Sequence, residues 1–253
     1  MMRILEFDAL TPQEFLNRDI QAEEDVSAAV DEILAEVRRN GDAALREYTK
    51  RFNGVELDNL RVTQEEFDAA RKTVDSCFLE TLKEAAENIW RFHERQKHND
   101  FILTDRPGMV MGQRWTAIEK VGVCVPRCPE AFPSTILMNA IPAKIAGVET
   151  IVLVTPPGPD GSVSSEALMA AELAGVTDVF KLGGAQAVAA LAYGTETVPR
   201  TDKIVGPGGV FVATAKRKVF GQVDIDMIAG PSEILVLADG KTNPVWAAAD
   251  LLS

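Results

Sequence analysis

Apolar positions in the first hundred residues recur at helical spacing. Val26, Ala29, Val30, Ile33, Leu34 and Val37 lie mostly three or four apart with acids between them, which predicts a helix over 22–39 with Gly41 just past its end. A second helix is expected over 42–52, stopped by Asn53-Gly54. Thr63 followed three residues later by Glu66 has the spacing of a capping box at a helix start. The helical pattern continues through Phe67, Ala70, Val74 and Phe78 and resumes, after a break, through Leu82, Ala85, Ile89 and Phe92. Pro107-Gly108 then marks a turn, with short strands expected at 109–111 and 116–118 and a domain boundary near Glu119.

Beyond that point the period changes. Short apolar runs at 121–125, 150–155, 178–182, 203–205 and 234–238 read as strands. Between them lie helical stretches that start at Ser134, Ser164-Ser165, Ala185 and Gly209, the first three closed by Gly147, Gly175 and Gly194. The 150–155 run is almost wholly apolar, as in a strand covered on both faces. Crossovers of this length imply βαβ units and a mostly parallel sheet. Asn243 and Pro244 open a last helix, and the chain stops inside it at Ser253 without a C-cap or polar tail, which predicts a fragment cut within a helix.

The chain has 253 residues, 46% of them hydrophobic and 25% charged, with a net charge of -12. That size allows one large domain or two smaller ones, and the negative charge argues against a nucleic-acid partner. No apolar run is long enough to cross a bilayer, and acids at Glu6 and Asp8 argue against a signal peptide. Three cysteines make no disulfide framework, which predicts a reducing cytoplasm.

Three turns follow strands: 126–134, Leu182-Gly183-Gly184-Ala185-Gln186, and Gly206-Pro207-Gly208-Gly209. In a parallel sheet these gather at one edge, where backbone amides and helix dipoles favour an anion. Gln186 in a first helical turn can hydrogen-bond a ribose or phosphate; the alternative is a tight turn with an exposed Gln. Gly206-Pro207-Gly208-Gly209 matches neither the G-x-G-x-x-G fingerprint nor a P-loop, and Ser232 lacks a nucleophile elbow. Cys124 and Cys128 make a poor metal site without nearby histidines. His93 and His98 read as solvated or capping residues, and no histidine follows them for acid–base work. Asp224, Asp226 and Glu233 read as a solvated loop, and Lys216-Arg217-Lys218 as a solvated helix face.

In order, these pieces resemble the histidinol dehydrogenase family. The resemblance is carried by Met138-Asn139-Ala140-Ile141-Pro142-Ala143-Lys144, Gly183-Gly184-Ala185-Gln186-Ala187, Asp202-Lys203-Ile204-Val205-Gly206-Pro207-Gly208, and Asp226-Met227-Ile228-Ala229-Gly230-Pro231-Ser232-Glu233. It implies an α/β protein with an incomplete Rossmann-like parallel-sheet domain over 119–233, plus a helical and α/β N-terminal region over 1–118 to which 234–253 returns. It implies NAD-dependent, two-step oxidation of L-histidinol to L-histidine by a zinc-requiring cytoplasmic homodimer. Gln186, Gly183, Gly184 and Gly209 would belong to the NAD site, and Ser232 would touch substrate. The family's zinc ligands and catalytic Glu–His pair lie beyond Ser253, so neither a catalytic residue nor a metal ligand is assigned within these residues and the chain alone is expected to be inactive.

Two places depart from the family pattern: Cys124 stands where a tyrosine is usual, followed by Pro126-Arg127-Cys128 in place of Pro-Gly-Gly, and Gly209 stands where an asparagine is usual. Losing a stacking ring and an amide costs NAD binding on the order of 1 kcal/mol each. Two other readings stand beside the enzyme: a non-catalytic nucleotide- or protein-binding fragment, and a paralogous NAD-dependent alcohol dehydrogenase with another substrate. An exposed apolar edge is expected in the region before Glu119.

Overall fold

The computed structural model describes residues 20–126, 132–228 and 234–252. Its first helix, α1 (Ile20–Asn53), is broken at Gly41, where φ 50° and ψ -129° leave the helical region. The two helices expected there therefore meet end to end at the glycine. Next come α2 (Gln64–Thr73) and α3 (Ser76–His93). The capping box of α2 forms as the spacing predicts: Thr63 Oγ1 accepts from the Glu66 amide, and Glu66 Oε2 accepts from the Thr63 amide at 2.8 Å. The break between α2 and α3 falls at Val74-Asp75, earlier than the apolar spacing suggests. Asp75 accepts from the Phe78 amide at 3.0 Å and starts a new helix, which a sidechain period alone does not reveal.

A two-stranded antiparallel hairpin, β1 (Phe101–Leu103) with β2 (Met111–Gln113), follows. It differs from the expected pair in that 101–103 joins it and 116–118 is no strand. Phe101, Ile102, Met111 and Trp115 are exposed here. So apolar surface lies open in this region.

The rest alternates. β3 (Lys120–Cys124), α4 (Pro133–Ala146), β4 (Thr150–Val154), α5 (Ser165–Ala174), β5 (Asp178–Phe180), α6 (Gly184–Tyr193), β6 (Lys203–Val205), α7 (Val210–Val219) and β7 (Asp224–Ile225) build one five-stranded sheet in the order β5-β4-β3-β6-β7. All its strand pairs are parallel. Residues 60–62 seal the β5 edge, with Val62 donating to the Val179 carbonyl and Lys181 to that of Leu60. A final helix, α8 (Pro244–Leu251), is capped by Asn243. The strand expected at 234–238 is absent among the described residues: the run pairs with nothing in the sheet, and Leu235 and Leu237 are 89% and 95% exposed.

Alternation along each strand divides the core. Val121, Val123, Ile151, Leu153 and Val179 point to one face and pack under α2, α3, α4 and α5. Cys124, Val152, Val154, Phe180 and Ile204 point to the other, under α1, α6 and α7. The helices before Glu119 thus pack on the helices that cover the sheet, on both faces. α1 is also tied to the exit of α6. Asp42 is buried and accepts from Thr195 Oγ1 at 2.6 Å and Thr197 Oγ1 at 3.1 Å, while its own amide donates to Glu196 Oε2 at 2.8 Å.

Candidate functional site

The strand order reverses direction between β3 and β6. From β3 the chain steps outward through β4 to β5, then returns across the sheet to β6 on the other side. Loops leaving the carboxyl ends of β3 and β6 therefore diverge, and an open α/β sheet has its crevice there. A cavity of about 340 Å³ occupies this place, walled by Cys124, Val125 and Pro126 after β3, Pro156 after β4, Gly183 and Gly184 after β5, and 207–212 after β6. A smaller recess of about 260 Å³ shares Pro156, Gly183, Gly184 and Phe211 with it and reaches Gln186. Gln186, Gly183, Gly184 and Gly209 thus meet at one rim.

How the helices start here matters. α2, α3, α5 and α8 are closed by side chains of Thr63, Asp75, Ser164 and Asn243. Among the described residues no side chain caps α4, α6 or α7. These three start at the carboxyl edge after β3, β5 and β6. The positive ends of their dipoles lie at this edge. Gly183 and Gly209 are the N-cap residues of α6 and α7. A Cβ on Gly183 would lie 2.2 Å from the Pro156 ring, so the β5 turn and the loop after β4 close on each other only with glycine there.

Gln186 is 2% exposed rather than the exposed turn residue of the alternative reading, and among the described residues its Oε1 is a buried side-chain atom without a hydrogen-bond partner. A buried acceptor left unmet costs about 1–3 kcal/mol. The oxygen sits against the first residue of α6, where a Cβ on Gly184 would be 2.7 Å away.

Two side chains that sequence reasoning placed in solvent are built into this edge. Lys216 is 1% exposed, and its Nζ donates to the Gly206 carbonyl at 2.9 Å and pairs with Asp226. Asp226 also accepts from the Gly206 amide at 2.8 Å. The signal was available: Val212, Lys216 and Val219 are four and three apart on one helix, so a lysine between two apolar positions faces inward. Only the neighbouring Arg217 and Lys218 made it read as a charged face. Asp224, in contrast, is exposed and pairs with Lys203 at 2.7 Å, which holds its carboxyl below the usual range.

Cys124 lies at the carboxyl end of β3 on the cavity wall. Burial pushes its thiol up from 9.0 to about 12, against a lowering by Lys216 and with a smaller rise from Asp226. The thiol is therefore protonated and slow to react. Iodoacetamide at pH 8 is expected to modify exposed Cys77 and leave Cys124 unmodified in the native chain, read by mass spectrometry of the 121–127 peptide; equal labelling would contradict the burial. The sign for stability follows. The folded state holds this proton more tightly than the unfolded one, so its contribution is complete below pH 9.0 and is lost as pH rises toward about 12.

The remaining candidates lie apart. Ser232 and Cys128 fall outside the described residues. His93 Nδ1 is 2.6 Å from Gln96 Oε1, and exposed His98 stacks on Trp115 at 4.2 Å between ring centres. Among the described residues no group of three or more His, Cys, Asp or Glu side chains is placed to hold a metal ion, so these residues do not fit a zinc centre.

Comparison with known proteins agrees with this geometry. The family model for histidinol dehydrogenase matches residues 16–253. The histidinol dehydrogenase of Halalkalibacterium halodurans is 53% identical over 239 residues, covering 94% of this chain and 56% of the relative. That of Bacillus subtilis is 52% identical over 239 residues with the same coverage. The crystal structure of histidinol dehydrogenase from Elizabethkingia anophelis aligns with a TM-score of 0.83 at 36% identity, over 93% of this chain and 57% of that one. The chain thus spans little more than half the length of the relatives it matches. A parallel sheet with its glycine turns at the carboxyl edge, matched over nearly the whole sequence, places this chain in the histidinol dehydrogenase family of oxidoreductases.

Proposed function

We propose that the crevice between β3 and β6 binds NAD, and that in the whole protein it serves the NAD-dependent oxidation of L-histidinol to L-histidine. The observation that carries this reading is Gln186: a buried carbonyl oxygen without a partner, at the start of an uncapped helix, beside a glycine turn. A donor on the ligand, such as a ribose hydroxyl, would satisfy it. The amides opening α6 and α7 would receive the diphosphate. NAD supplies the hydride acceptor when bound; the residues described here bind and orient it.

In this reading zinc, the proton-transferring groups and part of the substrate site belong to other parts of the whole protein, with Ser232 contributing a substrate contact. Residues before Glu119 and after Glu233 would belong to a first domain, and two copies of the whole protein would pair in the cytoplasm. No helix among the described residues is long and apolar enough to cross a membrane.

Calorimetric titration of the purified chain with NAD tests the site. Gln186→Met is expected to weaken binding about tenfold, roughly 1.4 kcal/mol, while leaving the unliganded melting midpoint unchanged or slightly raised, because it removes an unmet acceptor. Gly209→Asn is expected to tighten binding about fivefold. Gly209 has φ -66°, and an added Cβ there meets nothing within 4 Å, so the side chain is accommodated. Absence of NAD binding by the unaltered chain, or identical affinity in all three proteins, would overturn the assignment.

A further inference from the structure

We propose that Lys216 and Asp226 are positioning residues that clamp Gly206 and thereby aim the start of α7 at the cofactor. The clamp closes on a single residue, holding the peptide units on both sides of its Cα. Lys216 Nζ donates to the Gly206 carbonyl at 2.9 Å, Asp226 Oδ2 accepts from the Gly206 amide at 2.8 Å, and Lys216 and Asp226 are ion-paired. Asp226 Oδ1 also takes the Met227 amide at 2.6 Å, which fixes the carboxylate. Lys216 reaches Gly206 because a helical side chain leans toward the N-terminus of its helix, and α7 starts directly after the glycine turn.

The pair has a reason to exist beyond stability. With its lysine buried, such an ion pair is about as stable as well-packed apolar residues of the same volume, so what it adds here is a defined geometry. Gly206 needs such definition: its φ is +107°, in the region that favours glycine. Its carbonyl and amide set the direction of Pro207-Gly208-Gly209, which walls the cavity and caps α7. Asp226 precedes Met227 directly, so the same carboxylate fixes where the chain leaves β7. The turn on the cofactor side and the segment after β7 are thereby registered to each other through one lysine.

This inference rests on the proposed NAD site for its binding consequence, but its mechanical part can be measured without a ligand. Lys216→Met, Asp226→Asn and the double variant are compared with the unaltered chain by amide hydrogen exchange, melting and NAD titration. Asp226→Asn leaves the buried Lys216 charge without its partner, and Lys216→Met removes the donor to the Gly206 carbonyl, so each single variant is expected to melt earlier. The double variant removes both charges, keeps an acceptor for the Gly206 amide, and is expected to recover most of the melting midpoint. Its exchange across 206–212 is nevertheless expected to be at least tenfold faster than in the unaltered chain, with 184–193 unchanged, and its NAD affinity about tenfold weaker.

A role confined to stability predicts instead that the double variant recovers exchange and affinity together with melting, and that result overturns the clamp. If the unaltered chain binds no NAD, the proposed site fails, while selective acceleration at 206–212 still supports the clamp and its absence refutes it. Should a single variant not fold, the double variant decides.

Discussion

Gly206→Ala is expected to lower the melting midpoint by about 10 °C and to abolish NAD binding. The cause is local. A Cβ at this position would lie 2.1 Å from the Cys124 carbonyl oxygen and 3.0 Å from its carbonyl carbon, both backbone atoms in the strand next to β6. No rotamer change relieves a clash between Cβ and main chain, so β6 must move away from β3 at the seam of the sheet. The conformation adds to the penalty: φ is +107°, where L-residues are strained. Backbone strain of about 1–2 kcal/mol and overpacking of about 1–3 kcal/mol sum to about 4 kcal/mol. A chain of this size loses about 2–4 °C per kcal/mol. The neighbouring Gly209→Ala is the control. It has room for the extra carbon and an ordinary φ of -66°, so its midpoint should stay within about 1 °C of the unaltered chain. Differential scanning calorimetry of the pair checks the argument, and equal midpoints would remove the close approach from it.

Asp42→Ala is expected to cost about 3 kcal/mol and to loosen the second half of α1 from the exit of α6. The carboxylate accepts from two threonine hydroxyls on the far side of the chain, and Oδ2 lies 3.9 Å from Arg46. Hydrogen bonds to a charged group contribute about 1.5–3 kcal/mol, and truncation removes the buried acceptor that both hydroxyls share. The position also stands directly after the Gly41 break, so the same residue starts a helix and latches it. Asp42→Asn should recover part of the loss, since its oxygen can still accept while the charge is gone. Chemical denaturation measures the series; an alanine variant as stable as the aspartate would show that the latch carries no weight.

How much of this could be read from residues alone depended on what each signal measured. The continuous apolar runs of β3 and β4 marked central strands, because burial on both faces leaves no place for polar alternation. β7 escaped notice, since two residues, Asp224 and Ile225, make no pattern; their pairing with β6 is what defines them. The 234–238 run has the composition of a strand, but composition does not make a pairing, and among the described residues it joins no sheet. At the site, the glycine turns and Gln186 were legible because they sit at changes of period from strand to helix. Lys216 and Asp226 were not, because their meaning is a mutual one: each looks solvated until the other and the Gly206 peptide are placed beside it.

The two walls of the crevice differ in how firmly they are held. Every residue of α6 from Ala185 to Ala192 is buried, most of them alanines pressed between the sheet and α1. α7 is buried along one stripe only, with Val210 and Phe211 open to solvent at its first turn. A visitor to this crevice would therefore meet a fully buried helix on the Gln186 side and, on the other, a helix start whose side chains stand open to solvent.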